Sequence, residues 1–143
     1  MLDYEYQIVE YHIWIEKLVD HAKETYQAEV DLVSEDNAFI YEYKKKKVTV
    51  KGDTPARDKL YILLHEVGHL SRMMENSSDP TYFMDRVGSA NIRERVMTFM
   101  EEVLAWKKGE EIAMCLGIPI EDAAWRRLMD SSLRKYAEWI KGE

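Results

Sequence analysis

The chain has 143 residues, of which 46% are hydrophobic and 33% charged, and its formal net charge is −7. This length and composition are typical of one globular domain with a hydrophobic core, and they exclude a disordered or fibrous chain. We therefore predict a single domain over residues 1–143. Because proteins that bind a phosphate backbone usually present a basic face, the negative charge argues against nucleic acid as a partner. No apolar run approaches the length of a membrane span, so we expect no membrane partner either.

Cysteine usage and the N-terminus both bear on the compartment. Cys115 is the only cysteine, so the chain cannot form an internal disulfide. The first residues are acidic and lack the basic start and apolar core of a signal peptide. We expect a reducing, cytoplasmic setting.

The first half of the chain predicts one helix followed by three strands. From about residue 4 to residue 26, apolar side chains recur at intervals of three and four, which is typical of an amphipathic helix. Residues 28–33, 38–43 and 47–51 are strand-like, because they alternate between polar and apolar or are rich in β-branched and aromatic residues. We predict that they form a small antiparallel sheet, with the lysines of 44–47 at the tip of a hairpin.

The second helix is predicted to begin near Pro55. Its apolar residues share one core-facing stripe: Leu60, Leu63, Leu64, Val67 and Leu70. Gly68 interrupts this stripe, and a glycine inside a helix costs about 1 kcal/mol relative to alanine. Such a glycine indicates that another backbone or a ligand approaches closely.

Two more helices follow after a polar connection over residues 75–89, which is long enough to form a rim or cover of a site. Asn91 with Glu94 predicts the start of the third helix by a capping box, and Gly117 predicts its end. Its apolar residues form two stripes, which predict a central position: Val96, Phe99, Met100, Val103 and Trp106, and Ala105, Gly109, Ile112, Ala113 and Leu116. The fourth helix is expected from about residue 120 to residue 140.

One short motif stands out within the second helix: His65-Glu66-Val67-Gly68-His69, an HExxH sequence. Residues four apart on a helix lie on the same face, so the imidazoles of His65 and His69 can point at one metal ion. Glu66 is adjacent to the first histidine, where its carboxylate can reach a water bound to that metal without being a ligand itself. Zinc lowers the pKa of its bound water to about 7, and a neighbouring base can then take the proton. The motif therefore predicts a zinc site with Glu66 as the general base.

Two histidines do not complete a catalytic zinc site, which usually has three protein ligands and a water. The other two histidines, His12 and His21, lie on the first predicted helix, so a carboxylate is the simplest third ligand. Glu101 and Glu102 are acidic residues within the apolar pattern of the third helix, which we expect to pack beside the second. A shift of one residue turns a side chain by only about a quarter turn, so both stay open as ligands. Glu94 is a further alternative, although it also fits as a helix cap.

These motifs resemble those of known zinc peptidases. An HExxH helix followed about 35 residues later by a glutamate on a second helix is similar to the gluzincin arrangement. More narrowly, the chain resembles the small ImmA/IrrE-type metallopeptidases of bacteria and phages and the very short minigluzincins. Their third ligand often lies in a Glu-x-x-Ala pattern, which Glu102-Val103-Leu104-Ala105 matches, and the likeness extends over Trp106, Gly109 and Ala113. The resemblance implies Glu102 as the third ligand.

A fold class and a function follow from these elements. We predict an α+β fold, mainly helical, in which an antiparallel three-stranded sheet packs against a zincin-like helix pair that carries HExxH and the downstream glutamate. The resemblance implies a zinc-dependent metallopeptidase that hydrolyses peptide bonds in a peptide or protein substrate. In that enzyme His65, His69 and Glu102 would bind Zn²⁺, and Glu66 would accept the proton of the attacking water.

A peptidase also needs a donor for the developing oxyanion, often a tyrosine or histidine outside the motif. Tyr82, in the long connection, is the candidate donor, with Tyr61 and Tyr136 as alternatives. Each of these tyrosines also fits as a packed aromatic residue. Three arginines are interpreted as partners of surplus acids in surface salt bridges: Arg72, Arg93 and Arg95.

Two other functions fit the same residues. In a catalytically idle scaffold or regulatory module, zinc or ion pairs would hold two helices together while the surface binds a protein partner. Glu66 argues against that interpretation, because structural zinc is usually closed by four protein ligands and gains nothing from an acid beside the first ligand. The second alternative is an amidase that acts on a non-peptide substrate such as cell wall.

Overall fold

A computed structural model of the chain describes residues 2–33, 41–42, 47–51, 54–75 and 91–141. Within these residues the elements, in chain order, are four helices and three strands: α1 (Leu2–Tyr26), β1 (Glu29–Val33), β2 (Tyr41–Glu42), β3 (Lys47–Lys51), α2 (Ala56–Glu75), α3 (Ile92–Leu116) and α4 (Asp122–Ile140). None of these helices combines the length and the apolar character needed to cross a membrane.

Both ends of α3 are formed by the predicted capping residues. The side chain of Asn91 accepts a hydrogen bond of 2.9 Å from the backbone N–H of Glu94, which satisfies one of the unpaired donors of the first turn. At the other end, Gly117 adopts a left-handed conformation with φ of 72°. The backbone N–H of Ile118 then donates to the carbonyl of Ala113 at 2.8 Å, which closes the last turn. The predicted start and end of this helix are confirmed.

The sheet differs from the prediction. β3 lies between β1 and β2, and β2 pairs antiparallel with β3, with Tyr41 opposite Val48. However, β1 runs parallel to β3, with Glu29 beside Lys47. The predicted antiparallel three-stranded sheet is therefore wrong, and so is the fold class that contained it, because the sheet is mixed. Alternating residues identify a strand, but they do not select its neighbour or its direction, which depend on the path of the chain between strands.

The α2 helix is the element around which the others pack, since α1, α3, α4 and β3 all contact it. Its predicted core stripe is confirmed, because the five side chains are completely buried: Leu60, Leu63, Leu64, Val67 and Leu70. Burying one such side chain contributes about 1.5–3 kcal/mol. The helix that carries the HExxH motif is thus packed against other elements on several sides.

The α2 and α3 helices approach each other most closely at two glycines. A Cβ atom added to Gly68 would overlap the backbone carbonyl of Ala105, and one added to Gly109 would lie 2.9 Å from the carbonyl oxygen of Leu64. Each helix therefore requires a glycine at the point where the other helix crosses it. The close approach predicted at Gly68 is confirmed, and the neighbouring backbone belongs to α3.

The two predicted apolar stripes of α3 have different outcomes. The second stripe is largely buried, with Ala105, Ile112 and Ala113 at most 6% exposed. The first is wrong at its N-terminal end, because Val96 is 39% and Met100 53% exposed. A helix can cross its neighbour over only part of its length, so an apolar side chain beyond the crossing need not be buried.

Several predictions concern residues outside those that the structure describes. They are the hairpin-tip residues Lys44, Lys45 and Lys46, the polar connection beyond Glu75 and the candidate oxyanion donor Tyr82. These stay predictions.

Candidate metal centre

Three side chains from two helices converge at the crossing of α2 and α3. His65 and His69 lie one turn apart on α2, and Glu102 approaches from α3. Nε2 of His65 lies 3.2 Å from Oε1 of Glu102, and Nε2 of His69 lies 2.8 Å from Oε2 of the same carboxylate. The two glycines make this meeting possible, since they let the backbones come close enough for a glutamate side chain to reach both rings.

The spacing of these donor atoms suits one small cation. One ligand atom from each of His65, His69 and Glu102 lies within 4.8 Å of the other two. For comparison, ligand atoms at about 2.1 Å from a tetrahedral zinc ion are about 3.4 Å apart. Two imidazole nitrogens and one carboxylate oxygen are also a donor set that zinc uses.

Nε2 of His65 is a buried polar atom without a hydrogen bond among the described residues. Side-chain exposure is 7% for His65, 9% for His69 and 12% for Glu102. Among the described residues, Nε2 of His65 has no hydrogen-bond partner, although a carboxylate oxygen of Glu102 lies 3.2 Å away. An unsatisfied buried polar atom costs about 1–3 kcal/mol. A cation bound to this nitrogen would satisfy it, so the residues present fit a metal ion.

The charges of the cluster also suit a divalent cation. Carboxylates of Glu66, Glu101 and Glu102 lie within 3.4 Å of the two imidazoles, and Arg72 contributes a guanidinium to Glu101. With the imidazoles neutral and the carboxylates ionised, these side chains together carry a charge of minus two. Buried charge of one sign is costly unless it is compensated. A divalent cation would neutralise the cluster.

Protons can compensate the same charge. Burial lowers the pKa of His69, but the carboxylates of Glu102 and Glu101 outweigh this effect and raise the pKa from 6.5 to about 10. For His65, burial likewise lowers the pKa, and the neighbouring carboxylates outweigh it so that the pKa is raised. Burial raises the pKa of Glu102, but the two imidazoles hold it well below its ordinary 4.5. Since a metal needs deprotonated ligands, protons and a cation compete for this site.

Glu101, the alternative third ligand, is directed elsewhere. Nε of Arg72 donates to both of its carboxylate oxygens, at 3.0 and 2.9 Å. Oε1 of Glu101 also lies 3.4 Å from Nδ1 of His69, the ring nitrogen that does not face Glu102. The two adjacent glutamates therefore contact different atoms of the same imidazole.

His65 is held by an aromatic ring and a carboxylate. The indole of Trp106 stacks on its imidazole, with ring centroids 4.3 Å apart and planes at 15°. Oε1 of Glu66, the candidate general base, lies 3.4 Å from Nδ1 of the same imidazole, and Glu66 is only 4% exposed. Glu66 thus lies within the cluster, on the opposite ring nitrogen of His65 from Glu102.

The alternative oxyanion donors are used in packing. The hydroxyl of Tyr61 accepts a 2.8 Å hydrogen bond from the backbone N–H of Glu121, and its ring lies edge-on to Trp125. Tyr136 lies edge-on to Trp139 within α4, with ring centroids 6.4 Å apart. The donor role of a tyrosine stays a prediction.

The sequence did not predict that Arg72 and Trp106 belong to this cluster. Arg72 was interpreted as a partner in a surface salt bridge, whereas its side chain is only 16% exposed and binds Glu101. Its spacing is the signal that could have identified it, since Arg72 follows His69 by three residues and lies on the same helix face. Trp106 was assigned to an apolar stripe, and the sequence carries no signal that its ring would stack on His65.

Comparison with known proteins adds no relative: the chain matches no protein-family model, no curated protein and no solved structure.

Proposed function

We propose that this protein is a zinc-dependent metallopeptidase, in which His65, His69 and Glu102 hold the metal. The observation that carries the proposal is the convergence of both Nε2 atoms on one carboxylate from another helix, at 3.2 and 2.8 Å. Catalytic zinc sites typically have three protein ligands and leave one position open, whereas structural sites usually have four. When bound, zinc would polarise a carbonyl and lower the pKa of a coordinated water to about 7.

Glu66 is the group that we assign to proton transfer. Glu66 is 4% exposed and follows the first histidine in the chain, and its carboxylate lies 3.4 Å from that imidazole. A general base must lie within hydrogen-bond reach of the proton that it accepts, either directly or through one water. Glu66 would accept a proton from the attacking water and pass it to the leaving nitrogen.

The substrate class and the compartment belong to the same proposal. The HExxH and Glu-x-x-Ala sequences resemble those of ImmA/IrrE-type metallopeptidases and minigluzincins, which favours a peptide or protein substrate. Cys115 is a free, exposed thiol, which is compatible with a reducing cytoplasm. Two histidines and one glutamate are a known ligand set of catalytic zinc sites, so zinc is the metal that we propose.

The test compares the full chain with two glutamine variants after zinc loading. Glu66→Gln removes the candidate base with little change of shape. Glu110→Gln removes the same charge at an exposed residue of α3 and serves as the control. The measurements are zinc content, melting temperature and cleavage of casein and of a fluorogenic peptide library.

We expect wild type and Glu110→Gln to bind one zinc and cleave a peptide substrate. Removal of a general base typically costs about 10²–10⁴-fold in rate, so Glu66→Gln should lose cleavage to that extent. Its zinc content and melting temperature should match those of wild type. Cleavage by Glu66→Gln at the wild-type rate would overturn the assignment of Glu66, and a wild-type chain without zinc would overturn the whole proposal.

A zinc-stabilised scaffold is the second candidate function, because the site is so well buried. The three proposed ligands are at most 12% exposed among the described residues, as is typical of an ion that holds two helices together. This function predicts that zinc raises the melting temperature strongly while casein and the peptide library stay intact. It also predicts that Glu66→Gln lowers stability, since a buried carboxylate that contacts His65 would then have a structural role.

A further inference from the structure

We infer that Arg72 and Glu101 form an outer brace for the metal ligand His69: Arg72 holds the carboxylate of Glu101, and Glu101 holds Nδ1–H of His69. The inference rests on the proposed metal site and assigns a positioning role to two residues that do not contact the metal. We call these two residues the Arg72–Glu101 pair.

The contact with Glu101 favours a hydrogen on Nδ1 of His69 when the imidazole is neutral. Oε1 of Glu101 lies 3.4 Å from Nδ1, and an ionised carboxylate can only accept a hydrogen bond, so Nδ1 must donate. A neutral imidazole that carries its hydrogen on Nδ1 has its lone pair on Nε2. That is the nitrogen 2.8 Å from Glu102, at the proposed metal position. Glu101 therefore selects the tautomer that can bind a metal, as carboxylates behind histidine ligands generally do.

Arg72 determines what Glu101 can do. Both oxygens of Glu101 are held by Nε of Arg72, at 3.0 and 2.9 Å, and the Glu101 side chain is only 8% exposed. The guanidinium compensates a buried negative charge, and its Nε–H is shared between both carboxylate oxygens. It also keeps Glu101 from turning toward the cation and competing with Glu102. The pair thus decides which of two consecutive glutamates is a ligand and which supports a ligand.

Each histidine has a carboxylate oxygen 3.4 Å from its Nδ1, but the two carboxylates belong to different residues, so loss of the Arg72–Glu101 pair should act on His69. His65 stacks on Trp106 at 4.3 Å and contacts Glu66, whereas His69 contacts Glu101. The contacts described above join Arg72 to Glu101 and Glu101 to His69, and none of them involves His65, Trp106 or Glu66. Loss of the pair should therefore loosen the His69 ligand while His65 stays stacked.

The experiment measures metal binding by the full chain. The variants are Glu101→Gln, Arg72→Met and the double variant, and Glu110→Gln on the exposed side of α3 is the matched control for charge. Zinc affinity is measured by competition with a chromophoric chelator. The absorption spectrum of bound Co²⁺ reports ligand geometry, and the melting temperature of the metal-free protein reports stability separately.

We expect both single variants to bind zinc about 10- to 100-fold more weakly, the usual range for residues behind metal ligands, with an altered Co²⁺ spectrum. The double variant should bind zinc no more weakly than whichever single variant has the lower zinc affinity, because both changes remove the same brace. Glu110→Gln should bind zinc like wild type. If Arg72→Met does not fold, Arg72→Lys replaces it, since lysine keeps the charge but lacks the planar guanidinium and its Nε–H.

Wild-type zinc affinity and Co²⁺ spectra in Glu101→Gln and the Arg72 variant would overturn the inference, even if the metal-free proteins melt at a lower temperature. The pair would then be a structural salt bridge. Failure of this inference can be distinguished from failure of the proposed function. If wild type binds zinc without cleaving peptides, the peptidase proposal fails while the brace is still tested, and if wild type binds no zinc, both fail.

Discussion

The two parts of α3 differ in a way that their residue types do not suggest. The outer part, residues 92–100, exposes apolar side chains, with Ile92 at 58% and Met100 at 53%. The inner part, residues 101–113, buries a carboxylate, since Glu101 is only 6% exposed. On hydrophobicity alone the reverse would be expected.

The crossing with α2 explains the difference. The inner part lies against α2, where Gly68 and Gly109 bring the two backbones together. Charged groups are buried there because each one meets a partner across the crossing, as Glu101 meets Arg72 and Glu102 meets His69. The comparison shows that burial along this helix follows the contact geometry and not the hydrophobicity of the residue.

The largest effect is expected from closing the space at the crossing. Gly68→Ala places a methyl group against the backbone of Ala105, which cannot move unless the helices separate. Overpacking costs about 1–3 kcal/mol and more where backbone is involved, so we expect the free energy of unfolding to fall by about 3 kcal/mol and zinc binding to be lost. Urea denaturation and chelator competition measure the two effects.

Gly117→Ala is the control for this change. Gly117 has a left-handed conformation but open space around the position of a Cβ, so alanine there should cost only about 1–2 kcal/mol and leave zinc affinity unchanged. Equal losses of zinc affinity in both variants would show that the close crossing does not position the site.

The second largest effect is expected from the ligand on the inner part. Glu102→Gln keeps the size of the side chain but removes the charge that faces both Nε2 atoms. We expect zinc affinity to fall by more than the roughly 10- to 100-fold of residues behind ligands. Isothermal titration with zinc measures this, and a smaller loss than that of Glu101→Gln would reverse the roles of the two glutamates.

A smaller effect is expected from pH, through His69 of α2, which contacts Glu102 of the inner part. The raised pKa of His69, about 10, stabilises the metal-free fold fully below pH 6.5, and this contribution is lost as pH rises toward 10. Protons therefore compete with zinc most strongly at low pH. The increase in melting temperature caused by excess zinc should be larger at pH 8 than at pH 6, and a constant increase would contradict the assigned ligands.

The smallest effect is expected on the outer part. Met100→Gln changes a side chain that is 53% exposed, and substitutions at such surfaces usually alter stability by less than about 0.5 kcal/mol. Zinc affinity should be unchanged, although Met100 is adjacent to Glu101. A loss of zinc affinity in Met100→Gln would show that the inner and outer parts are not independent.

Much of the local structure could be predicted from the chain because its causes are local. Asn91 and Gly117 mark the ends of α3 through hydrogen bonds that span only a few residues. The spacing of the apolar residues along α2 indicates its buried face. Gly68 correctly indicated a close backbone. The histidine spacing placed two imidazoles on one face, because four residues make about one helical turn.

The pairing of β1 with β3 and the different contacts of the two neighbouring glutamates were determined by the tertiary structure. Strand direction depends on how the chain returns between strands, and no alternating pattern encodes that path. Likewise Glu101 and Glu102 differ by about a quarter turn, so only the rotation of α3 against α2 decides which carboxylate meets both rings and which meets Arg72. The sequence by itself determined which chemical groups lie on each helix face, since those follow from spacing along one element. Their partners were determined by contacts between elements, because these depend on how two helices cross.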